Sequence, residues 1–486
     1  MIVYQVMLVA ALAVPALGAA VIALLPARLG HTARLAGVVF AAVALVPIVV
    51  LPFAHAPAGP WTELDVSWVP ALHLDFHLAV DGVSYPLVAL TGLLTLLCCA
   101  YAVWQGSGRT LIALLLVLEA GILGTFLAYD LILFFLFFEV VLLPMYAVIA
   151  GWGGEDRRRA ARKFVLYTLF GSVLLLLGVV TVTVHAGTGN FFALAGGGSL
   201  SKTTQYWAFG LFAVAFAVKA PLWPLHTWLP DAHTQAPTVG SVMLAGVLLK
   251  MGTYGLIRIG VGVTPLGAAR AAPALGILAV AAILAGALIC LRQTELKRLI
   301  AYSSVGHMGF VLLGIATLSA TGIQAALLGN VAHGLITGLL FFLAGALKDR
   351  AHTGLLADLG GLRENAPRLA GLLGFAAIAS LGLPGLAGFW GEAFAVVAAV
   401  QRGGPLWLTL AAVAAVGGAL TAAYFLRLLR KVTHGPAAAS VTPAIAGAEW
   451  FAWAPLVALT LAVGLAPTLV LAVTEAPVML LSGAIR

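Results

Sequence analysis

Residues 218–258 read VKAPLWPLHTWLPDAHTQAPTVGSVMLAGVLLKMGTYGLIR, and the reading of this stretch decides the fold. An apolar run ends at Lys219-Ala220-Pro221, is interrupted again at Pro224 and Pro230, and resumes with a single lysine, Lys250, in its middle. Proline removes a backbone donor and clashes with the preceding turn. In lipid, irregular backbone survives only beside protein or water. A lysine within an apolar span is costly unless it faces the interior of a bundle, and it is then a functional candidate. The stretch therefore reads as a broken membrane helix followed by a helix with a buried charge.

The rest of the chain fits a lipid solvent. Of 486 residues, 62% are hydrophobic and 9% charged, against about 25% charged in soluble domains. The mean hydropathy is +1.10. This length would imply three soluble domains by the usual prior, but one helical membrane domain is the better reading. The run Ile2–Pro26 lacks a basic start and is too long for a secretory signal, although residues 16–20 (ALGAA) look like a cleavage site. It reads as a retained first helix. The net charge of +8 sits at helix ends, so topology rather than nucleic acid explains it. Cys98, Cys99 and Cys290 form no Cys-x-x-Cys pair, which argues against cysteine-held zinc or iron–sulfur clusters. No Gly-x-Gly-x-x-Gly turn follows a strand, so no dinucleotide site is visible. No cofactor is expected on this chain.

A span needs about 20 apolar residues, and cutting at polar and Gly/Pro-rich breaks predicts about fourteen. They include 2–26, 131–150 (fifth), 205–226 (seventh), 237–260 (eighth), 367–401 (twelfth) and 450–474 (fourteenth). Charge tests the count. With both termini outward, every Lys and Arg falls in inside loops except Lys202, Arg258, Arg270, Arg402, Arg486 and the mid-span Lys219 and Lys250. A wrong count would scramble this segregation.

Two spans carry breakers: the seventh at Pro221 and the twelfth at Gly382-Leu383-Pro384-Gly385. They lie five spans apart and so run in opposite directions. Tyr254 with Arg258, and Tyr424 with Arg427, echo one another in the spans that follow. The fold class expected is all-α: a polytopic membrane helix bundle with two inverted five-helix repeats and two broken helices marking a transport path. The expected layout is N-terminal helices over 1–104, a first repeat over 110–260, an inverted second over 272–430 and a C-terminal helix over 450–486.

Few ionisable groups lie within spans: Glu119, Glu139, Lys219, Lys250, His307, His333 and Glu392. Acids and lysines also tie helices together structurally, and a buried histidine often serves only as a hydrogen-bonding group. Recurrence on successive helices favours a relay. Burial depresses a lysine by up to about 3–5 pKa units. A carboxylate near 4 Å offsets about 4 kcal/mol at an effective dielectric of 20, roughly three units. Opening or closing an acid–lysine pair therefore switches a lysine between holding and releasing a proton. Glu119 is expected to support the same region by packing and hydration. Sodium transport would call for clustered oxygen ligands, which are not seen. His226, Asp231 and His233 in HTWLPDAH mimic metal ligands, but three neighbouring prolines make a re-entrant turn the better reading.

The chain resembles, over nearly its whole length, the antiporter-like membrane subunits of respiratory complex I, and among them the M subunits of bacterial NADH–quinone oxidoreductases. The resemblance rests on residues 218–258 and on HLAVDGVSYPLVALT (77–91), FFEVVLLPMYAVIAG (137–151), LKRLIAYSSVGHMGFVLLGI (296–315), NVAHGLITGLLFFLAGAL (330–347) and LPGLAGFWGEAF (383–394). It implies proton transfer through a Glu139–Lys219 pair, the central Lys250, relay histidines His307 and His333, and a last acid, Glu392. The acid at 392 favours the M type, since the related subunits carry lysine there. The resemblance further implies a bacterial plasma membrane with both termini on the periplasmic side. Partners would be the other membrane and peripheral subunits and the lipid bilayer, without nucleic acid, and NADH, FMN, iron–sulfur clusters and quinone would reside on partner subunits. A cation/proton antiporter subunit or a membrane-bound hydrogenase subunit is the alternative. Residues 188–202 match nothing in the family pattern.

Overall fold

The computed structural model describes residues 2–54, 59–69, 74–434 and 444–483; Arg486, placed outside by the charge count, lies beyond them. The helices in chain order are α1 (Ile2–Leu24), α2 (Gly30–Val50), α3 (Tyr85–Trp104), α4 (Arg109–Leu127), α5 (Leu131–Val140), α6 (Leu142–Trp152) and α7 (Arg157–Ala186). Then come α8 (Phe191–Leu194), α9 (Lys202–Lys219), α10 (Trp228–Gln235), α11 (Thr238–Met243), α12 (Leu249–Gly255), α13 (Pro265–Cys290) and α14 (Leu296–Ala316). Last are α15 (Ala320–Ala351), α16 (Leu362–Asn365), α17 (Pro367–Ser380), α18 (Ala387–Arg402), α19 (Gly404–His434), α20 (Gly447–Leu465) and α21 (Thr468–Gly483).

Among the described residues, twelve segments are long and apolar enough to cross a membrane. The stretches expected as broken spans are not among them. One is α9, ending at Lys219; the other is split into α17 and α18. Lipid-facing surfaces carry the exposed apolar residues the composition required, such as Leu166, Phe170, Val173, Leu177 and Val184 along α7. The interior belongs to the eighth, tenth and eleventh spans. Their most apolar windows are 94%, 89% and 94% buried, against 33% for each of the first two. Lys250, His307 and His333 ride on those three inner helices.

Two features add to the expected bundle. Strands β1 (Thr62–Val69) and β2 (Leu74–Val80) pair antiparallel, Thr62 opposite Val80. This hairpin lies at the end of the bundle where α3 begins and α4 ends; α7, with Arg157, Arg158 and Arg159, starts from the opposite, basic face. The fourteenth span also ends earlier than expected. Pro467 follows Leu465 and has no N–H to continue α20, and the chain turns into α21.

Candidate functional site

Glu139, Lys219, Lys250 and Glu392 each sit near a helix interruption, whereas His307 and His333 lie within the unbroken α14 and α15. Pro144 cannot donate to Val140, and the fifth span divides at Val141, two residues after Glu139. Pro221 ends α9 in the same way. Leu222 N–H then reaches back to Ala217 O at 2.9 Å, and the Val218 carbonyl is taken by the Trp228 indole N–H at 3.0 Å. The eighth span holds two π-helical segments, Leu244–Leu248 and Leu256–Val261, around the turn bearing Lys250. Such bulges recur at functional sites. The break between α17 and α18 uses Gly382 (φ +81) and Gly385 (φ +92), a left-handed backbone that glycine alone adopts without penalty.

From Lys250 onward the groups touch. The fully buried Lys250 Nζ donates to Ala245 O at 2.5 Å and lies 2.6 Å from His333 Nδ1. The His333 and His307 rings meet edge to face, with centroids 5.8 Å apart. His307 Nδ1 lies 2.7 Å from Glu392 Oε1, and its Nε2 lies 3.0 Å from Ser380 Oγ. Both halves of the broken twelfth span thus grip one imidazole. His307, His333, Thr337, Ser380 and Glu392 line a cavity of about 20 Å³. That is room for one water, which needs about 10–15 Å³. Close helix approach keeps this space small: a Cβ on Gly391 would lie 2.5 Å from the Cα of Gly329.

Before Lys250 the groups do not touch. Lys219 and Glu139 form no direct ion pair among the described residues. The Lys219 ammonium lies over the Phe138 ring, 4.3 Å from its centroid, and Glu139 Oε1 is buried without a partner. The Glu139–Lys219 pair expected from the sequence makes no direct contact in this structure. Lys219 is nonetheless brought to the Lys250 helix, because Gly252 lets the end of α9 lie against it. A Cβ there would sit 2.7 Å from Ala220 N. Glu119 is fully buried on α4, with both carboxylate oxygens unpartnered, and it stands apart from the Lys250–Glu392 line.

The HTWLPDAH residues do not converge. Asp231 pairs with Lys163 at 2.7 Å and Arg298 at 3.5 Å. Among the described residues no three His, Cys, Asp or Glu side chains gather as metal ligands would. His233 is another matter. It is completely buried on α10, stacked on Phe341 at 4.4 Å, with neither ring nitrogen bonded. The sequence reading set it aside as a turn residue; its only signal was a histidine in an otherwise apolar, proline-rich segment. The unmatched segment 188–202 is likewise anchored: Asn190 caps α8 and contacts His77 Nδ1 of β2 at 3.2 Å.

At the hairpin face the reading also missed a cluster. Arg258 donates to both carboxylate oxygens of Asp81 at 2.6 Å and to Tyr129 Oη at 3.1 Å. Burial pushes the Asp81 carboxyl up, but the guanidinium beside it outweighs that and holds it below the ordinary range.

The family model described as NADH:quinone oxidoreductase/Mrp antiporter, TM, matches residues 128–418. The NADH-quinone oxidoreductase subunit M of Rhodobacter capsulatus is 42% identical, over 85% of this chain and 83% of its own length. The NAD(P)H-quinone oxidoreductase chain 4 1 of Nostoc sp. is 38% identical over 95% of this chain and 88% of that protein. A chain of respiratory complex I from Thermus thermophilus with bound NADH superposes with a TM-score of 0.89 at 31% identity, covering 99% of both. A chain of the Mrp complex from Dietzia sp. shares the fold at 24% identity, with a TM-score of 0.87 and full coverage of both chains.

Proposed function

The chain belongs to the NADH:quinone oxidoreductase/Mrp antiporter transmembrane family, and on that premise we propose that it is the proton-translocating M-type membrane subunit of an NADH:quinone oxidoreductase. The observation that carries this reading is the line of contacts from Lys250 through His333 and His307 to Glu392, hydrogen-bonded at both ends and joined at its centre by the two imidazole rings beside a cavity with room for one water. These are groups that exchange protons, held at hydrogen-bond or ring-contact distance inside a bundle.

In this reading a signal from a neighbouring subunit moves Glu139 relative to Lys219. When Glu139 approaches, the ammonium holds its proton; when it withdraws, Lys219 passes the proton through water towards Lys250. His333 and His307 carry it on, and Glu392 releases it at the far side. Redox chemistry belongs to other subunits, which hold NADH, FMN, iron–sulfur clusters and quinone. The excess of lysine and arginine opposite the hairpin orients that basic face inward, in a bacterial plasma membrane, with both termini outward. We read residues 1–104 as an N-terminal helix group, 110–260 and 272–430 as two inverted repeats, and 450–486 as a C-terminal helix. The two interrupted spans, each ending or beginning beside a relay residue, support that division.

The test is the proton-to-electron ratio in membrane vesicles. Glu139→Gln and Lys219→Ala are expected to leave NADH oxidation by artificial acceptors intact and to lower the protons moved per electron. Native ratios in both variants would overturn the proposal.

A further inference from the structure

The Tyr254–Arg258 motif is not used by the relay, yet it sits on the Lys250 helix, about 12 Å or two turns further towards the hairpin face. Between them runs a polar seam. Thr253 Oγ1 donates to Asn330 Oδ1 at 3.0 Å, Asn330 Nδ2 is buried without a partner, and Tyr254 Oη donates to Phe126 O at 3.1 Å. The seam ends on Arg258 and Asp81. The guanidinium is sandwiched near the Tyr129 and Tyr254 rings, at 5.0 and 5.6 Å from their centroids. Asp81 is pinned in turn by the Val83 and Ser84 N–H groups, each 3.0 Å away. Beyond the pair, a cavity of about 250 Å³ is lined by Asp81, Tyr129 and Arg258 together with Pro477, Leu480 and Leu481 of α21.

We propose that the Asp81–Arg258 pair is a proton seal: it closes the seam between Lys250 and the hairpin face, so that a proton reaching Lys250 leaves only through His333. This rests on the relay reading above. A guanidinium keeps its protons at any physiological pH and accepts no hydrogen bond, so it cannot relay, and its fixed charge repels an arriving proton. The carboxylate that could relay is saturated by donors from Arg258, Val83 and Ser84. Removing the cation leaves a buried, uncompensated carboxylate at the end of a polar seam, next to a cavity that admits water.

The test uses the intact complex in proteoliposomes, with a pH gradient imposed in the absence of NADH and its decay followed by an internal pH dye. Arg258→Met and Arg258→Gln are expected to speed that decay at least several-fold over the native complex. NADH oxidation should persist in both and lose its acceleration by uncoupler. Arg258→Lys, which keeps a cation beside Asp81 but one able to release its proton, should leak less than Arg258→Met. Adding Asp81→Asn or Lys250→Met to Arg258→Met should restore tightness, since one removes the carboxylate and the other the source of the route. Native tightness in both single variants overturns the seal, as does a leak that survives Lys250→Met, because that leak would come from loosened packing. Should one single variant fail to assemble, the other decides. Native proton-to-electron ratios in Glu139 and Lys219 variants would sink the relay and leave the leak measurement standing; tight Arg258→Met and Arg258→Gln complexes would sink the seal alone.

Discussion

From Lys250 to Glu392 each ionisable side chain rests against the next, on α12, α15, α14 and α18 in turn. From Glu139 to Lys250, by contrast, an ammonium lies over an aromatic ring and a carboxylate oxygen has no hydrogen-bond partner. The first region has fixed distances, so under the proposed function a proton crosses it without movement of the helices, a water bridging the two imidazoles. The second has a distance that can change, and interaction between charges scales inversely with that distance. Control belongs where the geometry is open and conduction where it is closed. Under the proposed function, the first half of the chain is the switch and the second half the wire.

Lys250 joins the two, so its loss should break both. Lys250→Met keeps an apolar stem of similar length but removes the partner of His333 Nδ1, at about 1–3 kcal/mol for a buried group left unsatisfied. Proton transfer through the chain is expected to slow more than tenfold, at about 1.36 kcal/mol per decade. The complex should still assemble, because replacing a buried charge by an apolar side chain is often tolerated. Vesicle acidification together with native-gel analysis checks both expectations. Equal proton yield in the variant would mean that the two regions do not meet at Lys250.

The wire can be broken without touching the switch. Glu392→Gln keeps a hydrogen-bonding side chain near His307 but cannot take up or release a proton, and a loss of about tenfold in proton transfer is expected. Ser380→Ala removes only the 3.0 Å contact to the same imidazole and should cost about 1 kcal/mol, or about fivefold. If the two variants behaved alike, Glu392 would be an anchor for His307 and not a proton carrier.

A wedge can instead be driven between the regions. Gly252→Ala would set a methyl 2.7 Å from Ala220 N and 2.8 Å from Phe216 O. These are backbone atoms that cannot step aside, so α9 must move, at about 1–3 kcal/mol for such overpacking. Lys219 then retreats from the Lys250 helix. A fall of several-fold in protons per electron, with artificial-acceptor activity unchanged, is the expected outcome, and an unchanged ratio would show that the approach of α9 is not limiting.

How much of this was legible in the sequence divides along the same line. Lys219, Lys250, His307, His333 and Glu392 each stood out, because an ionisable residue in an apolar run is a functional candidate by default. Pro221 and the Gly382–Gly385 turn marked the breaks, since backbone chemistry is local. Contacts were another matter. Lys250 and His333 are 83 residues apart and His307 and Glu392 are 85, and nothing local encodes which buried groups face one another. The open Glu139–Lys219 geometry was invisible for the same reason. Strand β2, LDFHLAV, alternates apolar and polar at its start, a period-two signal overlooked in a chain dominated by helices. The π-helical segments around Lys250 have no sequence mark and lie in one of the two most buried spans.

The finest test of the comparison concerns Phe138, the residue that occupies the place of a partner in the open region. Its ring lies 4.3 Å from the Lys219 ammonium, a contact worth about 0.5–2 kcal/mol depending on how dry the site is. In a wire such a contact would be incidental packing. In a switch it is the resting place of the lysine while Glu139 is withdrawn, so it sets how readily the open state persists. Phe138→Leu keeps an apolar side chain and removes the quadrupole. The open state loses its hold on the ammonium, the balance shifts towards the closed pair, and proton transfer should slow by at least about twofold, at about 1.4 kcal/mol per decade. Phe138→Trp, with the stronger ring face, should keep the open state as well as the native residue does or better. Identical rates for leucine, phenylalanine and tryptophan would make Lys219 a lysine parked against a wall, and the division into switch and wire would then have to rest on Glu139 alone.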